Sequence, residues 1–229
     1  IQKGYMGPIA GYEMYQSQNV PTHTVGDFGG TPLSNSVTAQ TGSSIVTDGW
    51  TASKTGLLKA GDIITFAGVY EVNPQTYEST GKLQNFVVTA DVNSDSSGNA
   101  TIPVSPAIND GTLTTVDAEG TTVSLAGYQN VSAPVADGAA ITVLGTAKAT
   151  YRQSFLFHRD AVGLAVIDLE LPNSAVVKAR VRDEESGLSL SMTGAYDISN
   201  QSEVTRIDVV WGAHIIYPEL AMRIFGASI

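Results

Sequence analysis

No cysteine occurs in the 229 residues. Disulfides, thiolate zinc sites and thiol catalysis are excluded together, while the redox compartment stays open. Arginine is missing from residues 1–147, which hold four lysines against twelve acids; residues 148–229 hold eight basic and ten acidic residues. The net charge of −10 is therefore carried mainly by an acidic first part. Nucleic-acid binders display a basic field, so this balance argues against dedicated DNA or RNA binding. Apolar runs fall short of the ~20 residues a membrane helix needs. Ile1-Gln2-Lys3-Gly4 forms no charged-then-apolar signal segment. The chain opens at Ile1 inside what reads as structured sequence, and is expected to be a fragment or processed product.

What is present points to strands. Hydrophobic residues make up 42% and charged residues 15%, with 23 glycines and many Thr, Ser and Val, a composition for strands joined by tight turns. Residues 1–20 read as one or two short strands. From Pro21 to about Ser53 the Gly/Ser/Thr-rich stretch reads as a linker or long surface loop and marks a boundary. Short apolar segments follow at Ile63 to Tyr70, Leu83 to Val92, Ala100 to Ile108, Gly111 to Val116, Thr121 to Leu125 and Ala140 to Leu144, a spacing that suggests an antiparallel barrel or sandwich. Within Asn85 to Val92 the larger apolar residues alternate with more polar ones, as in a strand with one wet face.

After Ala149 arginine appears, and Gln153 to Ile167 contains a helix candidate beginning near Asp160. Val176 to Arg182 and Leu188 to Met192 form a hairpin pattern around the turn Asp183 to Gly187. Val177, Ala179 and Val181 lie on one face, with Lys178, Arg180 and Arg182 opposite. A final segment, Glu203 to Phe225, is broken at Pro218.

Tests for chemistry find incomplete motifs. His158-Arg159-Asp160 has the first residues of a kinase catalytic loop, but Ala165 stands where that motif needs Asn. Asp160 reads instead as a turn residue at a helix start. Asp91-Val92-Asn93-Ser94-Asp95 opens like a calcium loop, yet Ser96 replaces the required Gly and Ile102 the bidentate Glu. His23, His158 and His214 are scattered, and no Gly-x-Ser-x-Gly elbow occurs. Asn99, Asn130 and Asn200 fit the glycosylation tripeptide without a secretory signal. No metal, cofactor or catalytic residue is expected, and the chain reads as a non-enzyme. Lys178, Arg180 and Arg182 are candidates for pairing with a neighbouring subunit's carboxylates, beside the default of local pairing with Asp183-Glu184-Glu185.

Four stretches carry a family resemblance. They are Gly7-Pro8-Ile9-Ala10-Gly11-Tyr12-Glu13-Met14-Tyr15 followed by Asn19-Val20-Pro21; Lys59-Ala60-Gly61-Asp62-Ile63-Ile64-Thr65-Phe66-Ala67-Gly68-Val69; Phe157-His158-Arg159-Asp160-Ala161; and Trp211-Gly212 with Pro218-Glu219-Leu220-Ala221. In this order the sequence resembles major coat proteins of tailed phages with the Hong Kong-97 type fold, of the lambdoid short-tailed P-22 type that carries an inserted β-domain. The resemblance implies a mainly β chain with an α+β part: 1–22 and 150–229 in the capsid domain, 23–149 an inserted antiparallel β-barrel. In that family the insertion aids subunit folding and contacts neighbouring capsomers through a projecting loop, which makes Asp27 and Asp48 candidate contacts. The family's N-terminal half, with its arm, extended loop and long spine helix, has no counterpart in the sequence.

The implied function is a structural subunit of an icosahedral phage or prophage capsid. Its partners would be copies of itself, with scaffolding and portal proteins. Such a shell encloses DNA without sequence-specific binding, makes no membrane contact, and is assembled in the bacterial host cytoplasm. The competing expectation, from Thr/Gly/Val composition, is a secreted or surface β-domain such as an adhesin or glycan-binding module.

Overall fold

The computed structural model describes residues 4–173, 175–184, 186–217 and 220–228. Glu185, in the hairpin turn, and Pro218 and Glu219, where the last segment was expected to break, lie outside the described residues. The chain divides into two compact units, Ile1–Gln153 with Phe225–Ile229, and Ser154–Ile224.

The first unit begins with a hairpin of β1 (Tyr5–Ile9) and β2 (Tyr12–Tyr15), followed by β3 (Thr22–Thr24). Next come β4 (Gly30–Ser34), β5 (Gly42–Trp50), β6 (Ile63–Phe66), β7 (Tyr70–Val72), β8 (Ser79–Leu83), β9 (Phe86–Val88) and β10 (Ala100–Ile108). The small hairpin β11 (Thr114–Val116) and β12 (Thr122–Ser124) precedes β13 (Ile141–Val143) and β14 (Thr150–Phe157). Six strands form one antiparallel sheet in the order β13-β6-β9-β10-β5-β4. It curls until Leu33 bridges Ala140 and Ser34 N–H donates to Ala139 at 2.9 Å, nearly closing a barrel.

Alternation builds the barrel core. In β9 Phe86 and Val88 are buried and Val87 faces out; in β10 Ala100, Ile102 and Val104 point in. Phe66 and Phe86 meet at 5.6 Å between ring centroids, tilted by 60°. Apolar burial of this kind is the main source of stability.

The Gly/Ser/Thr-rich stretch is not a loop. It supplies β3, β4 and β5, with Val25, Ile45 and Trp50 in the core. Composition misled because two of its buried side chains are hydroxyls with satisfied hydrogen bonds. Thr47 Oγ1 donates to the Ala100 carbonyl at 2.7 Å and accepts from Trp50 Nε1 at 2.8 Å; Ser34 Oγ donates to the Ala136 carbonyl and accepts from Ala139 N–H. A buried hydroxyl with both roles filled carries little desolvation penalty.

The second unit contains the second half of β14, β15 (Val162–Ile167), β16 (Val177–Arg182), β17 (Ser189–Asp197), β18 (Ser202–Asp208), β19 (Val210–Ile215) and the first half of β20 (Ala221–Ser228). The expected helix near Asp160 is absent. His158, Arg159 and Asp160 form an exposed turn, Ala161 is buried, and β15 follows, pairing Val162 to Ile215 through Ile167 to Val210. Val162, Val166 and Ile167 are β-branched and Gly163 is a poor helix former, which favours a strand once a partner is present. Among the described residues there is no α-helix.

β16, β17 and β18 form a three-stranded sheet with Arg182 opposite Ser189 and Lys178 opposite Thr193. The hairpin and its two faces agree with the pattern read from the sequence. The apolar face, however, is uncovered: Val181, Leu190 and Ile207 are 67%, 50% and 67% exposed.

Candidate functional site

The anionic candidates lie in the first unit. Asp27 follows β3 and is engaged by the ammonium groups of Lys54 and, at 3.0 Å, Lys148. The hydrogen bond from Lys54, and then that from Lys148, holds its carboxyl below the usual range. Asp48, on β5 opposite Leu33, is half-buried and has no ion-pair partner among the described residues.

The cationic candidates share one face of the second unit's sheet. Arg182 is 3.6 Å from Asp168, and Arg180 donates to the Leu169 carbonyl at 3.4 Å. Asp168 is held below the ordinary carboxylate range, first by a hydrogen bond from Ser189 and then by the charges of Arg182 and Arg180. Lys178 has no ion-pair partner among the described residues. The two arginines thus reach the segment before β16, through Asp168 and the Leu169 carbonyl. In the hairpin turn Asp183 accepts from Ser186 N–H at 3.0 Å and from Ser186 Oγ at 2.5 Å.

The calcium-like side chains brace the loop. Asp91 accepts from Ala60 N–H at 2.9 Å and Asn93 from Gly56 N–H at 2.6 Å. Asp95 accepts from Ser97 N–H, Asn99 N–H and Asn99 Nδ2, each at 2.8 Å. The donors from Asn99, then Ser97, hold Asp95 below its ordinary 3.8. Its contribution to stability is complete above that ordinary value and is lost as pH falls through the lower folded value. Asp95→Asn should therefore flatten part of the acid-side fall in melting temperature below about pH 3.8. An unchanged slope in thermal melts across that window would contradict the assignment.

A buried pair escaped the reading of the sequence. His23 Nε2, on β3, lies 2.7 Å from Asp62 Oδ1, and Asp62 is 1% exposed. Asp62 Oδ2 also accepts from Lys59 N–H at 2.8 Å and Gly26 N–H at 3.1 Å. Gly26 passes so close to the barrel that an added Cβ would lie 2.3 Å from the Leu57 carbonyl oxygen. The available signal was an acid directly before the apolar strand Ile63 to Phe66; the histidine partner, 39 residues away, carried none.

The other two histidines belong to the second unit. His158 joins Asp160 in the exposed turn, and His214 lines a shallow apolar groove of about 410 Å³ with Gly163, Leu164, Ala165 and Gly212. Among the described residues no three metal-ligating side chains converge. The chemistry on offer is charge pairing and apolar contact.

The major capsid protein of Acyrthosiphon pisum secondary endosymbiont phage 1 is 27% identical over 183 residues, 78% of this chain. The match covers 40% of that relative's length. Among solved structures, the CUS-3 coat protein I-domain is 26% identical, aligned over 57% of this chain and 100% of its own with a TM-score of 0.29. None of these matches supports an adhesin or glycan-binding module. The family model described as P22 coat protein, gene protein 5, matches residues 33–226, most of the sequence, and the chain belongs to that family.

Proposed function

We propose that this chain is part of the shell-building subunit of an icosahedral phage or prophage capsid, acting by association with copies of itself around enclosed DNA. The observation that carries the reading is the coat-protein family match over 33–226. Physical support comes from the second unit, whose strands leave Val181, Leu190, Ile207 and Trp211 exposed, as expected where further protein surface is to pack. In this reading 1–22 and 150–229 serve the capsid domain and 23–149 the inserted barrel. Asp27, Asp48, Lys178, Arg180 and Arg182 contribute to subunit interfaces, scaffolding and portal proteins are further partners, and assembly takes place in the host cytoplasm. The net acidity limits adhesion of packaged DNA to the wall.

Electron microscopy of the full-length gene product expressed alone tests the reading, with shells or capsomers as the expected result and dispersed monomers the result against it. Arg180→Ala and Arg182→Ala refine it. Both side chains are solvent-accessible, so the subunit's stability should move by no more than ~0.5 kcal/mol, while assembled particles counted by sedimentation should fall. Normal assembly by both variants would leave the basic strip as a solvated face.

A further inference from the structure

In the sheet of β16, β17 and β18 one row crosses all three strands, with Lys178 opposite Thr193 and Thr193 opposite Arg206. Directly opposed residues share a face with Cβ atoms about 5 Å apart, so an ammonium and a guanidinium flank one hydroxyl. Among the described residues Lys178 has no ion-pair partner and the Thr193 hydroxyl no hydrogen bond. Arg206 is oriented without being used up: its Nε donates to Asp208 at 2.7 Å, which leaves its terminal N–H groups for a further acceptor. On the same face the neighbouring rows are Arg180 with Ser191 and Asp208 on one side, and Ala195 with Val204 on the other. Three cations thus stand against one carboxylate, a local positive field in a chain of net charge −10, and such a field attracts an anion.

We propose that this row is a phosphate-binding site, in which the Lys178 ammonium, the Thr193 hydroxyl and the terminal N–H groups of Arg206 donate to the oxygens of one phosphate group. Donors that come from two sides and from the floor of the sheet do not share a plane. They suit a tetrahedral anion better than a flat carboxylate, and the two charged ones make the stronger, charge-assisted kind of hydrogen bond. Beside Thr193 and Arg206 opens a groove of about 260 Å³ walled by Pro172, Ala175 and Val204, apolar enough to hold the carbon skeleton of a phosphate ester.

The site goes beyond the shell-subunit reading and does not depend on it. Arg180 and Arg182 are tied to the Leu169 carbonyl and to Asp168, and the row is complete without either. Its ligand chemistry has two sources, free phosphate in solution and the backbone of nucleic acid. One row of cations is not the broad basic field of a dedicated nucleic-acid binder. A hold on nucleic acid through it is weak, indifferent to base sequence and sensitive to salt.

The test titrates the full-length gene product with inorganic phosphate by calorimetry and, separately, with a fluorescent DNA duplex by anisotropy at several salt concentrations. Lys178→Gln and Arg206→Gln should each weaken phosphate binding about tenfold, the loss expected for one charge-assisted hydrogen bond. Lys178→Arg should retain binding, and Thr193→Val should weaken it with the charge unchanged. Arg159→Gln, which removes an exposed cation of the turn before β15, should leave it as it was. Melting temperatures should hold throughout, since none of these side chains is buried. Duplex binding that falls in the same variants, with the salt slope lowered by about one for each cation removed, makes nucleic acid the source. Phosphate bound without the duplex makes it free phosphate. Binding of neither probe, Lys178→Gln and Arg206→Gln that bind phosphate like wild type, or an equal loss in Arg159→Gln overturns the site. Acetate that displaces phosphate at equal concentration overturns the phosphate assignment and gives the row to a protein carboxylate. None of these outcomes touches the shell reading, which stands or falls on wild-type particles in the electron microscope.

Discussion

Asp62→Ala is expected to destabilise the first unit by about 3–5 kcal/mol, as measured by urea unfolding. The carboxylate is buried and organises three chain segments: β3 through His23, the following turn through Gly26, and the approach to β6 through Lys59. Truncation leaves two backbone donors and an imidazole without their acceptor, and unmet buried donors carry their full desolvation cost. His23→Ala should cost less, because Asp62 keeps both backbone donors and the histidine side chain is already 14% exposed. A change within ~0.5 kcal/mol for Asp62→Ala would place it with ordinary surface substitutions and remove the pair from the account of stability.

Phe86→Ala should cost a similar ~3–5 kcal/mol, by lost transfer energy and by the cavity left against Phe66. Its counterpart is Val181→Ala. Both substitutions truncate an apolar side chain on a strand, but Val181 is 67% exposed and its loss should stay within ~0.5 kcal/mol in the isolated chain. Denaturant midpoints of the two variants compare burial directly. Equal destabilisation by both would mean that the apolar face of β16 is covered in solution, contrary to the structure.

Legibility from sequence followed the range of the interaction. Phe86-Val87-Val88 declared its pleat locally, and so did the alternation of Val177 to Arg182 with its turn. The helix expected at Asp160 failed for the same local reason: a short apolar run after an acid fits either element, and β19 alone decides in favour of a strand. The stretch from Pro21 to Ser53 was misread because Thr47 and Ser34 are buried through hydrogen bonds to Ala100 and Ala136, more than 50 residues away, and no window reports those partners. His23 and Asp62 were invisible as a pair on the same ground. The cations at Lys178, Arg180 and Arg182 were located correctly on a face, while the attachment of two of them to Asp168 and Leu169 required the fold.

The near-closure of the barrel between Leu33 and Ala140 bears on how many copies can be crowded together. An open sheet offers unpaired N–H and C=O groups on its outermost strands, a template for pairing with any similar strand nearby. Here the outermost strands β4 and β13 meet each other, so part of that template is satisfied within the chain. Among the described residues the two-stranded ribbon β15–β19 has no such closure. At high local concentration, aberrant strand pairing should begin there rather than on the barrel.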